Sequence, residues 1–187
     1  MKARTLCAWF PMWSLGRPDA SPDDPLLIVD DRVRAATDDV MAAGVSMGMP
    51  RREAEALAPF ATVLLRDQGE EARRFEPVVE RMESLIPRVE VVSPGLVFVP
   101  IAGAVRFYGG EEALAGLVAK ELDRMVGVAR GGQALLGVAD GPFAARWAAA
   151  TTRVGHPLVV TDTIGFLSRL DLTALRESLD ADELIDT

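Results

Sequence analysis

Short apolar runs bounded by turn-forming residues recur along this chain, and they predict β-strands. The runs are rich in β-branched and aromatic residues and are too short for helices that stand alone. The predicted strands are residues 5–10 (TLCAWF), 25–30 (PLLIVD), 32–37 (RVRAAT), 62–66 (TVLLR), 89–93 (VEVVS), 96–101 (LVFVPI) and 134–139 (ALLGVA).

Other segments place apolar residues every three or four positions, which is the period of an amphipathic helix. The clearest case is residues 70–87, where Phe75, Val78 and Met82 share one face. The predicted helices are residues 38–44, 50–58, 70–87, 109–129 and 141–152, and the tail 163–187 contains short helix-prone pieces.

The order of these elements predicts an α+β fold. Without residues 26–66, the order is strand, helix, strand, strand, helix, strand, which is the split βαβ arrangement of ferredoxin-like domains. We therefore predict an antiparallel sheet with helices on one face and a small α/β lobe inserted after the first strand. Many nucleotidyl-transferring enzymes combine such a sheet, called the palm, with an inserted fingers lobe and a helical thumb.

The predicted domain boundaries follow from this order. The palm comprises residues 1–22 (its first strand) and 69–160, and the fingers lobe comprises residues 23–68. Residues 161–187 are predicted to begin the thumb.

Composition and charge narrow the classes of function. The chain has 187 residues, 49% of them apolar, and a net charge of -8, so it should fold and lacks the basic stripe of proteins that grip nucleic acid alone. One cysteine, Cys7, and one histidine, His156, argue against a disulfide, a zinc site and a catalytic thiol. No apolar run approaches the roughly 20 residues of a membrane span, so we expect a soluble, cytoplasmic protein.

Two segments resemble a known family in the order and spacing of their elements. Residues 42–101, which begin AAGVSMGMPRRE, resemble the fingers-to-palm region of Y-family, lesion-bypass DNA polymerases, and residues 137–150 (GVADGPFAARWAAA) resemble the later palm strand and helix. The apolar hairpin at 90–103, with RFYGGEEALA at 106–115 and FLSRLDLTALRE at 166–177, looks most like the ImuB group of that family, polymerase-like accessory subunits of a bacterial mutagenic repair assembly. The resemblance covers nearly the whole chain and implies a palm-and-fingers fragment.

The resemblance also implies where metal-binding carboxylates would lie. Active relatives take them from the first strand and from the hairpin between the middle strands, and these positions match Trp9, Pro11, Gly95 and Leu96. Two-metal phosphoryl transfer needs carboxylates that hold both cations. We therefore expect no metal ligand, no catalytic residue and no cofactor, and we predict a pseudo-polymerase that is not an enzyme.

The residues that would bind the incoming triphosphate differ in the same way. Their positions match Asp38, Met41 and Pro142, none of which can neutralise a phosphate. We therefore expect no nucleotide-binding residue.

The apolar strands at 5–10 and 96–101 do not alternate with polar residues, so both faces of the sheet should be covered. If Val97 and Val99 face the helices, then Trp9, Leu96 and Phe98 line the opposite face. We predict that these three residues form an apolar interaction patch at the former active site, filled by the fingers lobe or used as a protein contact.

Acids elsewhere are weaker candidates. The adjacent pairs at 23–24, 30–31 and 38–39 favour turn solvation or helix capping, whereas Asp140 is the best candidate for a displaced metal ligand. The segment YGGEEA, residues 108–113, resembles the hairpin of cyclic-dinucleotide synthases, but its position favours the start of a helix.

The resemblance implies an adaptor in DNA-damage-induced mutagenesis, the SOS response and translesion synthesis. The expected partners are the sliding clamp, an ImuA-type protein and an error-prone replicative-type polymerase, all bound through regions beyond this fragment, and DNA binding should be weak. Two alternatives stay open. One is an active DNA polymerase with displaced metal ligands, and the other is a ferredoxin-like regulatory or ligand-binding module.

Overall fold

A computed structural model of the chain describes residues 4–21, 23–126 and 131–170. Its strands are β1 (Arg4–Trp9), β2 (Leu26–Val29), β3 (Val33–Ala36), β4 (Thr62–Leu65), β5 (Glu90–Ser93), β6 (Leu96–Pro100), β7 (Leu135–Asp140) and β8 (Leu158–Val159). Its helices are α1 (Asp38–Ala42), α2 (Arg51–Leu57), α3 (Gln68–Leu85), α4 (Glu111–Val126), α5 (Pro142–Thr151) and α6 (Thr163–Leu167). Within the described residues, no helix is long and apolar enough to span a membrane.

The larger of two compact units contains β1 and Gln68–Leu167. Its strands form one sheet in the order β5-β6-β1-β7-β8, in which β1 is antiparallel to both β6 and β7 and β7 is parallel to β8. With α3 and α4 connecting the strands, this is the predicted ferredoxin-like arrangement, and the α+β fold class is confirmed.

Alternate residues of the central strands face opposite sides of this sheet. On one side, Leu6, Val97 and Val138 pack against apolar residues of α3 and α4. We call this side the α3/α4 face. On the other side, Cys7 and Phe98 pack against α5, and we call this the α5 face.

Helix α5 lies close to the sheet because both the helix and strand β7 carry small residues at their contact. The helix contributes four buried alanines, Ala144, Ala145, Ala148 and Ala149. A Cβ atom added at Gly137 of β7 would lie 2.2 Å from the backbone nitrogen of Ala149, so the helix backbone lies directly on the strand. The sheet is therefore covered by helices on both faces rather than on one.

The smaller unit includes Ser14–Asp67. Its three strands have the order β3-β2-β4, with β2 antiparallel to β3 and parallel to β4. Val29 of β2, Val40 of α1 and Ala54 of α2 belong to one buried cluster, which gives the unit a core of its own. The predicted boundary at residue 23 stays a prediction, and residues 171–187 of the predicted thumb lie outside the described residues.

Candidate functional site

The candidate site lies at the end of the five-stranded sheet where β1 ends and the β5–β6 hairpin turns. Register pairs join Trp9 with Leu96 and Cys7 with Phe98, and the backbone nitrogen of Phe10 donates a hydrogen bond of 2.8 Å to the carbonyl oxygen of Gly95. The structure therefore brings the predicted residues Trp9, Leu96 and Phe98 together on the α5 face.

Most of this predicted patch is covered within its own unit. Leu96 is 3% exposed and Phe98 is 7% exposed, in the same buried cluster as the alanines of α5. Trp9 is only half-buried at the border of that cluster. An interaction role for the three residues stays a prediction, and only Trp9 offers substantial surface for it.

A buried arginine of α5 stacks on the ring of Trp9. The guanidinium carbon of Arg146 lies 3.3 Å from the centroid of the Trp9 ring, although Arg146 is only 7% exposed. A guanidinium over the face of an indole is attracted by the ring quadrupole, more strongly when both groups are shielded from water. The stack thus fixes a positive charge at the end of β1.

The tip of the hairpin is a tight turn packed against the segment after β1. Pro94 followed by Gly95, which has a φ of +90°, is the pattern of a type II turn. A Cβ atom added at Gly95 would lie 2.9 Å from the Cβ of Trp13 and 3.1 Å from the carbonyl oxygen of Phe10. The turn therefore has no room for a longer side chain without rearrangement.

A cluster of three aromatic rings packs next to the turn. Phe10, Trp13 and Phe75 make mutual edge-to-face contacts with centroids 5.1 to 5.7 Å apart. The indole nitrogen of Trp13 donates a hydrogen bond of 3.1 Å to the carbonyl oxygen of Glu71, and the guanidinium of Arg74 lies 4.9 Å from the Trp13 ring centroid. These contacts hold the end of β1 and the start of α3 in one position.

Asp140, the best candidate for a displaced ligand, lies at the opposite end of the strands. It pairs in register with Arg4, whereas Trp9 pairs with Leu135, so about 17 Å of strand separates Asp140 from Trp9. Its carboxylate accepts a hydrogen bond of 3.3 Å from Arg4, and its backbone nitrogen donates one of 3.2 Å to Thr163. The structure does not bring Asp140 to the candidate site.

The acids of YGGEEA are also at that opposite end. Glu111 begins α4, which agrees with the predicted helix start, and its carboxylate accepts a hydrogen bond of 2.8 Å from Nε of Arg4. Hydrogen bonding to Glu111, opposed by burial and helped by Asp140, raises the pKa of Arg4. In the described part of the chain, no group of three or more His, Cys, Asp or Glu side chains could hold a metal ion.

The matched triphosphate positions are divided between the two units. Asp38 begins α1 and Met41 packs against the core of the smaller unit. Pro142 occupies the first turn of α5 in the larger unit, where its missing N–H costs no helical hydrogen bond. Their matched roles stay predictions.

The sequence prediction missed Arg146. Its signal was present, because Arg146 is the only charged residue of an alanine-rich helix and no acid lies three or four positions from it within α5. The pairing with Trp9 depends on the closeness of α5 to the sheet, which the periodicity of that helix does not indicate.

Solved structures with a similar fold include DNA polymerases. A post-insertion binary complex of Dbh DNA polymerase is 19% identical, with a TM-score of 0.74 over 90% of this chain and 52% of that one. An insertion ternary complex of Dbh DNA polymerase is 17% identical, with a TM-score of 0.72 over 98% of this chain and 55% of that one. DinB from Sulfolobus solfataricus is 16% identical, with a TM-score of 0.65 over 84% and 48%.

The chain thus spans about half the length of these structures, and at such identities the likeness shows the fold alone. No curated protein sequence matches the chain. The model of the impB/mucB/samB family matches residues 16–150, which is more than half of the chain.

These comparisons correct one prediction. The chain was expected not to be an enzyme because apolar residues occupy the matched carboxylate positions. That prediction is wrong, because the family match and the DNA polymerase structures contradict it. The chain belongs to the impB/mucB/samB family.

Proposed function

We propose that this chain is the palm and fingers of an ImuB-like protein that acts in DNA-damage-induced translesion synthesis. In this role it serves as an adaptor that links a sliding clamp, an ImuA-type protein and an error-prone replicative-type polymerase. The family match supports the pathway, and the resemblance of residues 90–115 supports the ImuB-like role. The adaptor role is proposed beside template-directed synthesis, not in place of it.

One observation carries the adaptor role. The end of β1 presents Trp9, whose ring stacks on the buried Arg146 above a support formed by Leu96, Phe98 and α5. Aromatic side chains held in a fixed position are among the groups that most often dominate binding at protein interfaces. The same end of the sheet therefore has the composition of a contact site.

The experiment uses the longer protein, because the chain covers about half of its solved relatives. It is mixed with the purified clamp, ImuA-type protein and error-prone polymerase of the same organism, and the complex is measured by size-exclusion chromatography with light scattering. We expect a stable assembly that Trp9→Gln weakens about tenfold. Phe143→Gln, at an exposed aromatic side chain of the same unit, is the matched control and should leave assembly unchanged.

The thermal midpoint of each variant decides between the two roles of Trp9. Loss of assembly with a nearly unchanged midpoint supports a contact role. A lowered midpoint with full assembly would show that Trp9 only supports the fold, and the adaptor proposal would then lose its site.

Template-directed DNA synthesis with displaced metal ligands is the second candidate function. It is favoured by the similarity to an insertion ternary complex of Dbh DNA polymerase. Primer extension by the longer protein with Mg²⁺ or Mn²⁺ tests it. Incorporation that is lost in Asp140→Asn but kept in Glu112→Gln, an exposed acid of α4, would identify Asp140 as a ligand. Incorporation unchanged in both variants would place the ligands elsewhere.

The other alternative, a ferredoxin-like regulatory or ligand-binding module with no role on DNA, does not agree with the family match. Nothing in the described residues favours it over the first two functions.

A further inference from the structure

Strand β5 leaves one edge of the larger sheet open. It is the first strand in the order β5-β6-β1-β7-β8, so it pairs with β6 on one side only among the described strands. Val91 and Val92 are 49% and 42% exposed on this edge. An edge strand offers backbone donors and acceptors to another chain, and Glu90 is the one charged residue of β5.

A pocket lies at the end of this edge, where residues 86–88 enter β5 and residues 100–104 leave β6. Its volume is about 420 Å³, and its lining residues are Ile86, Pro87, Arg88, Pro100, Ala102, Gly103 and Ala104. The walls are apolar apart from one guanidinium. A pocket of this composition accepts an apolar group and can hold a carboxylate at its rim.

Phe107 projects into solvent beside this pocket. It is 83% exposed, and its backbone nitrogen donates a hydrogen bond of 2.9 Å to the carbonyl oxygen of the pocket residue Ala104. Its ring makes an edge-to-face contact with Tyr108 at a centroid distance of 4.9 Å, and the Tyr108 hydroxyl donates to the carbonyl oxygen of Leu85 at 2.8 Å. A large apolar side chain is thus held in place without being buried.

The charge of this region differs from that of the whole chain. Arg88 and Arg106 are both exposed, and neither forms a salt bridge within the part of the chain that the structure describes. The chain as a whole carries a net charge of -8. The Arg88 guanidinium in the wall of an apolar pocket, on an acidic protein, favours a partner segment that carries a carboxylate.

We propose that β5 is a docking edge for an extended, acidic and apolar segment of another protein. The segment adds as a strand to β5 and packs on Val91 and Val92. One apolar side chain enters the pocket, and a neighbouring carboxylate pairs with Arg88. This mode takes its affinity from main-chain hydrogen bonds and its specificity from the pocket.

The test is a titration of the chain, labelled with ¹⁵N, with a synthetic heptapeptide in which valine and threonine alternate and an aspartate precedes a leucine. We expect the amide signals of β5 and of residues 102–107 to shift. A peptide with N-methylated valines cannot form strand hydrogen bonds and should bind at least tenfold more weakly. Equal binding by the N-methylated peptide would overturn strand addition and leave only a small-molecule pocket.

Three variants, each with a matched control, locate the contact. Arg88→Glu should weaken binding of the aspartate peptide about threefold and improve binding of a peptide with lysine in place of aspartate. Arg153→Glu, at another exposed arginine, should change neither affinity. Val92→Lys should weaken binding about tenfold, whereas Val154→Lys, at an equally exposed valine, should not.

The third pair of variants is at Phe107. Phe107→Asp should weaken binding, and Phe143→Asp should leave it unchanged. Equal effects of the test and control variants would contradict the proposed surface. Sedimentation of the chain alone completes the test, because a concentration-dependent dimer that Val92→Lys abolishes would identify the occupant as a second copy and refute the proposal.

Discussion

The two faces of the five-stranded sheet are covered in opposite ways. The α3/α4 face is filled by large side chains, including Phe75, Met82 and Leu114. The α5 face is filled by alanines, and Gly137 lets the helix backbone touch the strand. Large side chains tolerate repacking, whereas contact between backbones does not. The α3/α4 face thus depends on large buried side chains, whereas the α5 face depends on small residues that allow close contact between backbones.

The strongest test of this comparison is Gly137→Val. The added Cβ would lie 2.2 Å from the Ala149 nitrogen and 2.4 Å from the Ala145 carbonyl oxygen, and these backbone atoms can move only if α5 leaves the sheet. We expect the free energy of unfolding to fall by about 4 kcal/mol or more. Denaturant unfolding followed by circular dichroism measures it.

Gly116→Ala is the matched control, because it adds a methyl group to a glycine in α4 that has no neighbour within 4 Å. It should raise stability by about 0.5–1 kcal/mol through the helix propensity of alanine. A Gly137 variant as stable as the wild type would show that α5 does not lie on β7 as described.

The second test addresses the opposite face with Phe75→Ala. Phe75 is 2% exposed and contacts both Phe10 and Trp13, so truncation removes apolar burial and leaves a cavity. We expect a loss of about 3–5 kcal/mol in the free energy of unfolding. Phe107→Ala, at an exposed ring, should change it by less than about 0.5 kcal/mol. Similar losses in the two variants would contradict the assignment of the core.

Sequence patterns predicted the elements well because their signals are local. Turn residues bound each strand, and the period of two places Trp9, Leu96 and Phe98 on one face whatever covers it. The position of α5 could not be predicted in the same way, since an alanine-rich helix has no strongly apolar stripe to orient it. Gly137 indicates a close approach of some backbone but does not identify which element approaches.

The sequence could have predicted that Asp140 lies far from the candidate site. A strand antiparallel to β1 must end where β1 begins, so an acid at the end of β7 lies beside Arg4 rather than Trp9. The prediction proposed Asp140 as a ligand because it follows a strand of the palm, and it did not consider at which end of the sheet that strand finishes. To predict the stacking of Arg146 on Trp9, one must also know how closely α5 packs on the sheet. This is a property of the tertiary structure.

A third test concerns the hairpin tip, where Gly95→Asp would restore a carboxylate at a matched position. The positive φ of Gly95 strains an aspartate by about 1 kcal/mol, and contact with Trp13 and Phe10 adds about 1–2 kcal/mol. Gly155→Asp is the control, because it has a φ of +75° and no neighbour within 4 Å. The difference between the two thermal midpoints isolates the contact, and equal midpoints would show that the turn is not packed.

The smallest expected effect is a pH dependence that belongs to the α3/α4 layer alone. Glu121 of α4 accepts hydrogen bonds from Arg81 of α3 at 3.1 Å and from Arg124 at 2.8 Å. The Arg81 hydrogen bond, opposed by burial and helped by the charge of Arg124, lowers the pKa of Glu121 below its ordinary 4.5. The α5 face has the stack of Arg146 on Trp9 in place of an ion pair between two helices.

A lowered folded pKa means that the contribution of Glu121 is complete above the unfolded value and is lost as pH falls through the folded value. The thermal midpoint of the wild type should therefore exceed that of Glu121→Gln near neutral pH, and the two should converge as pH falls below 4.5. Glu83→Gln, at an exposed acid of α3, should run parallel to the wild type. A constant gap between wild type and Glu121→Gln at every pH would mean that the ion pair does not join the two helices, and the α3/α4 layer would then depend on its apolar volume alone.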